Sequence, residues 1–208
     1  FKPRADMQYS CLNYITLQNV VERITGQSLR TFAANNIFIP LGMKHTDFLP
    51  CTSDKSGKLV NTSQPRWVAN GEQASLTPIA PTEKQPNGTV KQGQVHDPLA
   101  CTLNGGVSGN AGLFSSAEDV ATLCAMLQNG GAWGGKRILS PLTVKAMRSV
   151  PQNFNSFGRS LGWDVSSAYA SNQGDLLSPE AYGHTGYTGT SIVIDPVNDL
   201  SIVLLCNS

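Results

Sequence analysis

The sequence predicts an α+β fold, an antiparallel sheet flanked by helices, and three observations predict it. Apolar residues recur at helical spacing from Leu12 to Ile24 and again from Val120 to Leu127. Two runs rich in branched residues, Ser191–Ile194 and Leu200–Leu205, flank the turn-like Asp195-Pro196-Val197-Asn198-Asp199. Helical and strand segments do not alternate, which argues against a parallel α/β sheet.

In chain order, Leu12, Ile15, Leu17, Val20, Val21 and Ile24 mark a first helix that Gly26 stops. Ser28 is placed to cap a second, with Leu29, Phe32, Ala33 and Ile37 on its inner face, ending before Pro40. Pro40-Leu41-Gly42-Met43 then turns onto an apolar anchor. From about residue 51 to 94 periodicity fades, interrupted by Pro65, Pro78, Pro81 and Pro86, with a turn at Asn87-Gly88. This excursion is either a loop bordering a binding site or a surface insertion with short strands. Gly105, Gly106, Gly109 and Gly112 demand unusual backbone before Ser116-Ala117-Glu118-Asp119, a capping-box-like start with Asp in place of Glu. Val120, Leu123, Cys124 and Leu127 line one face of the helix that follows, and Gly130-Gly131 ends it. Ser140-Pro141 opens another, with Leu142, either Val144 or the Lys145 stem, and Met147 inward. Trp163 and Val165 are assigned to a strand before the final hairpin. Trp67, Trp133 and Trp163 are expected as core or loop anchors, and Met126 and Met147 as core residues.

Composition narrows the function classes. Apolar residues make up 40% of 208, enough for a core. Lys and Arg number 15 against 14 Asp and Glu, with no basic block, so nucleic acid is a poor partner. The longest apolar runs, such as Ile202–Cys206, are too short to span a bilayer, so no transmembrane segment is expected in this chain. The five cysteines, Cys11, Cys51, Cys101, Cys124 and Cys206, include no C-x-x-C pair, which disfavours a structural zinc. Cys124 and Cys206 are expected to be buried small hydrophobes. No cofactor or metal is implied.

Two segments carry chemistry. Tyr9-Ser10-Cys11 stands at the mouth of the first helix, and Tyr182-Gly183-His184-Thr185-Gly186-Tyr187-Thr188-Gly189-Thr190 precedes the final hairpin. A lone tyrosine before a helix is usually a packed aromatic. A lone histidine between glycine and threonine is usually a surface residue. A phenol acts as a base only where neighbouring cations favour its ionised form.

Together with Ile39-Pro40-Leu41-Gly42-Met43, Val95-His96-Asp97 and the stretch from Gly105 to Ser115, these segments resemble the serine β-lactamase and penicillin-binding-protein superfamily. The likeness covers essentially the whole chain and lies in the class C-like branch, nearest the 4B group of penicillin-binding proteins. That resemblance implies a partial β-lactamase/transpeptidase-like fold. It implies catalytic roles for Tyr9 (proton relay), His184 (in place of a common lysine) and Tyr187, whose N–H aims at a developing oxyanion. It places Ser10, Cys11, Thr185 and Gly186 on the substrate side, with Cys11 a weak donor where an amide is usual. His184 adds charge beside Tyr9 only when protonated, so the expectation is activity that depends on pH around 6 to 7. Asn110 stands where relatives often carry histidine. His96-Asp97 is either an acid–base pair, a metal ligand or, preferred, a structural pair near the site loop.

No Ser-x-x-Lys, the family's nucleophile motif, occurs in these 208 residues. Phe1-Lys2-Pro3 resembles the segment just before the family's tyrosine. The expectation is therefore that residues 1–208 are the C-terminal portion of a single β-lactamase-like domain whose N-terminal segment supplies the nucleophile. The expected substrates are a D-alanyl peptide, a β-lactam or an ester, in a bacterial envelope or periplasm. Alternatives are a D-aminopeptidase or carboxylesterase of the same superfamily, or a non-catalytic peptidoglycan-binding module.

Overall fold

The computed structural model describes residues 7–69, 79–151, 157–165 and 173–207. The chain divides into two compact units. One comprises Ser10–Asp119 with Asn207–Ser208, and the other Phe1–Tyr9 with Val120–Cys206. We call them the helical unit and the sheet unit.

In the helical unit, α1 runs Cys11–Thr25. The Ser10 hydroxyl accepts from Leu12 N at 3.3 Å, and Gly26, at φ 67°, returns its N–H to the Glu22 carbonyl. The helix is where its spacing predicts, but the apolar stripe is not its buried face. Leu12 and Ile24 are 58% and 79% exposed, whereas Gln18 is buried. The reason is polar. Gln18 Oε1 accepts from Gly109 N at 2.9 Å and Nε2 donates to the Val107 carbonyl at 3.0 Å, tying the glycine-rich segment to the helix. Gly109 lies so close that a Cβ would strike the Tyr14 carbonyl.

Ser28 caps α2 (Leu29–Ala33) by accepting from Thr31 N. The chain then widens into a π-helical turn, Ala34–Phe38, closed by Ile39 N on the Ala34 carbonyl at 2.9 Å. The extra residue rotates the inner face: Ala33, Ala34 and Phe38 are buried and Ile37 is only half-buried. Gly42, at φ 70°, then drops Met43 into the core as expected.

Four short strands follow: β1 (Asp47–Phe48), β2 (Cys51–Ser53), β3 (Leu59–Asn61) and β4 (Leu113–Phe114), pairing antiparallel as β1–β4 and β2–β3. Between β3 and β4 lie α3 (Arg66–Ala69) and α4 (Pro98–Thr102). Residues 51–94 thus hold short strands, with the expected turn at Asn87-Gly88; Pro78 lies outside the described residues. Buried carboxylates organise this unit. Asp47 takes a two-point bond from Arg30, Nε to Oδ1 at 3.0 Å and Nη2 to Oδ2 at 2.8 Å, plus Arg66 N at 2.9 Å. Asp119 Oδ2 accepts from His45 N and Thr46 Oγ1, both at 2.7 Å. Ser116 accepts from Asp119 N, the expected helix start.

That start opens α5 (Ala117–Gln128), whose residues from Val120 onward belong to the sheet unit. Val120, Cys124, Met126 and Leu127 are buried. A two-strand ribbon, β5 (Ala132–Trp133) with β6 (Lys136–Arg137), leads to α6 (Pro141–Arg148), capped by Ser140. Val144 points inward, but Leu142, in the first turn, is 78% exposed, contrary to expectation; Trp133 is also exposed.

The unit's three-stranded antiparallel sheet has the order β7 (Tyr182–Thr185), β8 (Ser191–Asp195), β9 (Leu200–Leu204). Trp163 and Val165 belong to no full strand: the segment pairs with β7 only at Asp164–Gly183. Cys206, just beyond β9, is exposed rather than buried, its thiol donating to the Thr188 carbonyl at 3.4 Å. The architecture is α+β, as its sequence predicts.

The β8–β9 turn is built on Asp195, fully buried. Its carboxylate accepts from Ser178 N and Oγ, Val197 N, and Asn198 N and Nδ2. Burial alone raises its pKa, but the bonds from Ser178 and Asn198 outweigh burial and hold the carboxyl well below the usual range. A depressed folded-state pKa contributes stability that is complete above the unfolded value, about 3.9, and is lost as pH falls through the folded one. Asp195→Asn is expected to cost about 1–3 kcal/mol at neutral pH. The gap from wild type should narrow below about pH 4 in denaturant titrations; a gap that is constant down to strong acid contradicts this account.

Candidate active site

Strand β7 carries the histidine, and each neighbour has its own constraint. Tyr182 is buried with Trp163 edge-on to its ring (centroids 5.3 Å, 78°). Burial pushes the Tyr182 phenol up to about 12, which suits a structural tyrosine and not a base. Gly183 must be glycine because a Cβ there would strike the Ile192 carbonyl across the sheet. His184 follows, half-exposed, opposite Ile192.

Residues 159–164 form a tight hairpin beside β7. Ser160 N donates to the Trp163 carbonyl at 2.9 Å, and Gly162 takes φ 92° at its tip. Asp164 exchanges both backbone bonds with Gly183, at 2.8 and 2.9 Å. Its carboxylate is 1% exposed and takes Arg159 Nη2 at 2.7 Å. Arg159 Nη1 lies 3.2 Å from His184 Nε2, and its guanidinium carbon stands 5.0 Å from the centroid of the Tyr9 ring. The Tyr9 and His184 rings are 6.5 Å apart, centroid to centroid. A phenol, an imidazole and a guanidinium from three separate parts of the chain therefore meet in one cluster.

The turn after His184 is equally tight. Gly186 N donates to the Thr190 carbonyl at 2.7 Å, and Gly189 N returns to the Gly186 carbonyl at 3.0 Å. Thr185 is the exposed last residue of β7, opposite Ser191, and the Tyr187 side chain, within the turn, is 86% exposed. Thr185, Gly186 and Tyr187 thus follow the histidine directly into a turn of fixed shape. Ser10 and Cys11 belong to the helical unit, where Ser10 serves as the α1 cap and Cys11 is half-buried.

The remaining candidates have structural partners. Asp97 caps α4 through Ala100 N at 2.7 Å and accepts from Asn110 Nδ2 at 3.2 Å, while His96 Nε2 faces Glu83 Oε2 at 3.4 Å. An open hollow of about 550 Å³ in the helical unit is lined by Gln18, Glu22 and Arg30 among others. Those three side chains are already bonded, Gln18 to Glu22 and Arg30 to Asp47, so the hollow presents no converging chemistry. No group of three or more His, Cys, Asp or Glu able to hold a metal occurs among the described residues, and none of their helices is long and apolar enough to cross a membrane.

Arg159 is the residue that pattern reading misses. The usable signal was local: Gly158 and Gly162, both at positive φ, bracket a short hairpin that ends at Trp163-Asp164, and an arginine inside it needs a partner. Nothing local says that the partners are His184 and Tyr9.

The chain is similar to known proteins along its whole length. The β-lactamase family model matches residues 1–208. A protein of Escherichia coli O157:H7 with the provisional name D-alanyl-D-alanine carboxypeptidase is 38% identical over 213 residues, covering 100% of this chain and 46% of that protein. Its counterpart in Salmonella gallinarum is 37% identical over 211 residues, with the same coverage. This chain therefore spans about half the length of the curated relatives it matches. Solved structures share the fold. A β-lactamase from Mycobacterium bovis aligns at TM-score 0.59 and 17% identity, over 98% of this chain and 57% of that one. An octameric penicillin-binding protein homologue from Pyrococcus abyssi aligns at 0.58 and 21%, over 100% and 40%.

The close approach at Gly183 yields a test of the layout. Gly183→Ala must push β7 off β8 and carry His184 with it. The expected cost is about 1–3 kcal/mol, read as a lowered melting temperature together with a shifted His184 ring resonance. Wild-type melting with an unmoved resonance contradicts it.

Proposed function

This chain belongs to the β-lactamase family, and we propose that it carries the base-and-oxyanion side of a serine acyl-transfer site. The observation that carries the reading is the juxtaposition of the Tyr9 and His184 rings, 6.5 Å apart with Arg159 beside both. The nucleophilic serine and its lysine belong to protein outside these 208 residues. The sequence lacks Ser-x-x-Lys, and the relatives are about twice as long.

In this reading the serine Oγ attacks the carbonyl of a D-alanyl peptide or β-lactam. Its proton passes toward Tyr9 Oη, and the leaving amine takes it back. The developing oxyanion lies between the nucleophile's own N–H and Tyr187 N–H, which the turn 186–190 holds in place. Thr185 and Gly186 border the substrate along the end of β7. Water then hydrolyses the acyl-enzyme. The name that the relatives carry supports D-alanyl peptides as the substrate class, and that chemistry supports a setting in a bacterial envelope.

Incubating the full-length protein with a fluorescent penicillin is expected to label it covalently. Tyr9→Phe is expected to lower the acylation rate about 10²–10⁴-fold. Absence of labelling at every pH rejects β-lactam acylation. Turnover confined to D-amino amides or p-nitrophenyl esters points to the aminopeptidase or esterase alternative, and binding of peptidoglycan stems without turnover to a recognition module.

A further inference from the structure

We propose that Arg159 is a positioning residue of this site, one that fixes His184 as the neutral Nδ1–H tautomer and supplies the permanent cation beside Tyr9. The kinetic half of the inference rests on the acyl-transfer reading; the tautomer half does not.

The two polar neighbours of the imidazole fix where its hydrogen sits. His184 Nδ1 lies 2.6 Å from the Thr185 carbonyl, which only accepts, so Nδ1 carries the hydrogen. His184 Nε2 lies 3.2 Å from Arg159 Nη1, and a guanidinium only donates, so Nε2 presents its lone pair. One tautomer satisfies both contacts. An imidazolium does not, because its Nε2–H would point at an N–H of a cation. Among the described residues, Tyr9 lies 6.5 Å from the ring between centroids, and Asp164 stands behind Arg159.

The guanidinium is held where these roles need it. Its fork is divided, Nη2 to the buried Asp164 carboxylate and Nη1 to the imidazole, while its central carbon stands 5.0 Å from the Tyr9 ring centroid. Asp164 is in turn bonded through its backbone to Gly183, the residue before His184. Arginine and histidine therefore ride on the same piece of sheet. The sequence expectation placed the charge beside Tyr9 on a protonated His184. In this geometry Arg159 provides it independently of pH, and the histidine is an oriented neutral ring.

Three variants of the full-length protein test this: Arg159→Lys, Arg159→Gln, and Arg159→Gln combined with Asp164→Asn. The double variant leaves no unpaired buried carboxylate and so keeps the fold testable. The first readout is the ¹⁵N spectrum of the His184 ring. Wild type is expected to show Nδ1 protonated and Nε2 bare. The double variant should show a mixture of tautomers, because an amide at 159 can donate or accept. Lysine, lacking the divided fork, should not restore the wild-type spectrum. The second readout is the acylation rate by a β-lactam or D-alanyl ester, expected to fall at least about tenfold in the double variant. An unchanged Nδ1–H spectrum in the double variant, or wild-type acylation in it, overturns the inference. If wild type itself acylates with no substrate, the acyl-transfer reading fails and the ring spectrum alone decides the role of Arg159.

Discussion

The sheet unit depends on one buried ion pair. Asp164 has lost nearly all its solvent, and an isolated carboxylate in that position is too costly to persist. Arg159 answers it at 2.7 Å, and the same aspartate is stitched by two backbone bonds to Gly183. The consequence is positional. Once Nη2 is committed to Asp164, the rest of the planar guanidinium has little freedom, and it faces His184 on one edge and Tyr9 on one face. The site's electrostatics follow from a constraint of the fold.

This arrangement changes what the histidine in a His-Thr-Gly strand is for. A lysine there would be a compact cation at the end of a flexible stem. A neutral imidazole is a rigid donor–acceptor plate instead, and charge has to come from elsewhere. In this chain it comes from a hairpin of residues 159–164 that precedes the strand and is tied to it. Division of labour between a shaped ring and a fixed cation is a physical alternative to a single residue doing both.

Much of the local structure was legible in the sequence because its causes are local. Ser28 and Ser140 cap the helices they precede, Gly26 ends one in the left-handed conformation, and Asp195–Asp199 turns between the predicted strands. The misses lie where apolar spacing carries no signal, either because the partner is far along the chain or because the local geometry departs from a regular helix. Gln18 is buried because Gly109 and Val107 come to it from about ninety residues away. Ile37 is displaced from the inner face by a π turn that no spacing announces. Leu142 sits in the first turn of α6 on the solvent side, although its helix was correctly placed. In the cluster, Tyr9 and His184 were identified through a family likeness carried by motifs, whereas Arg159 has no motif and needed the fold to reveal it.

The most direct measurement is a crystal structure of the full-length protein carrying a slowly hydrolysed β-lactam adduct. The account predicts an ester on a serine supplied from outside residues 1–208. Its carbonyl oxygen should lie about 3 Å from Tyr187 N, with the Tyr9 hydroxyl within hydrogen-bonding reach of the serine oxygen. An adduct elsewhere, with the Tyr9–Arg159–His184 cluster facing away from it, would contradict the account.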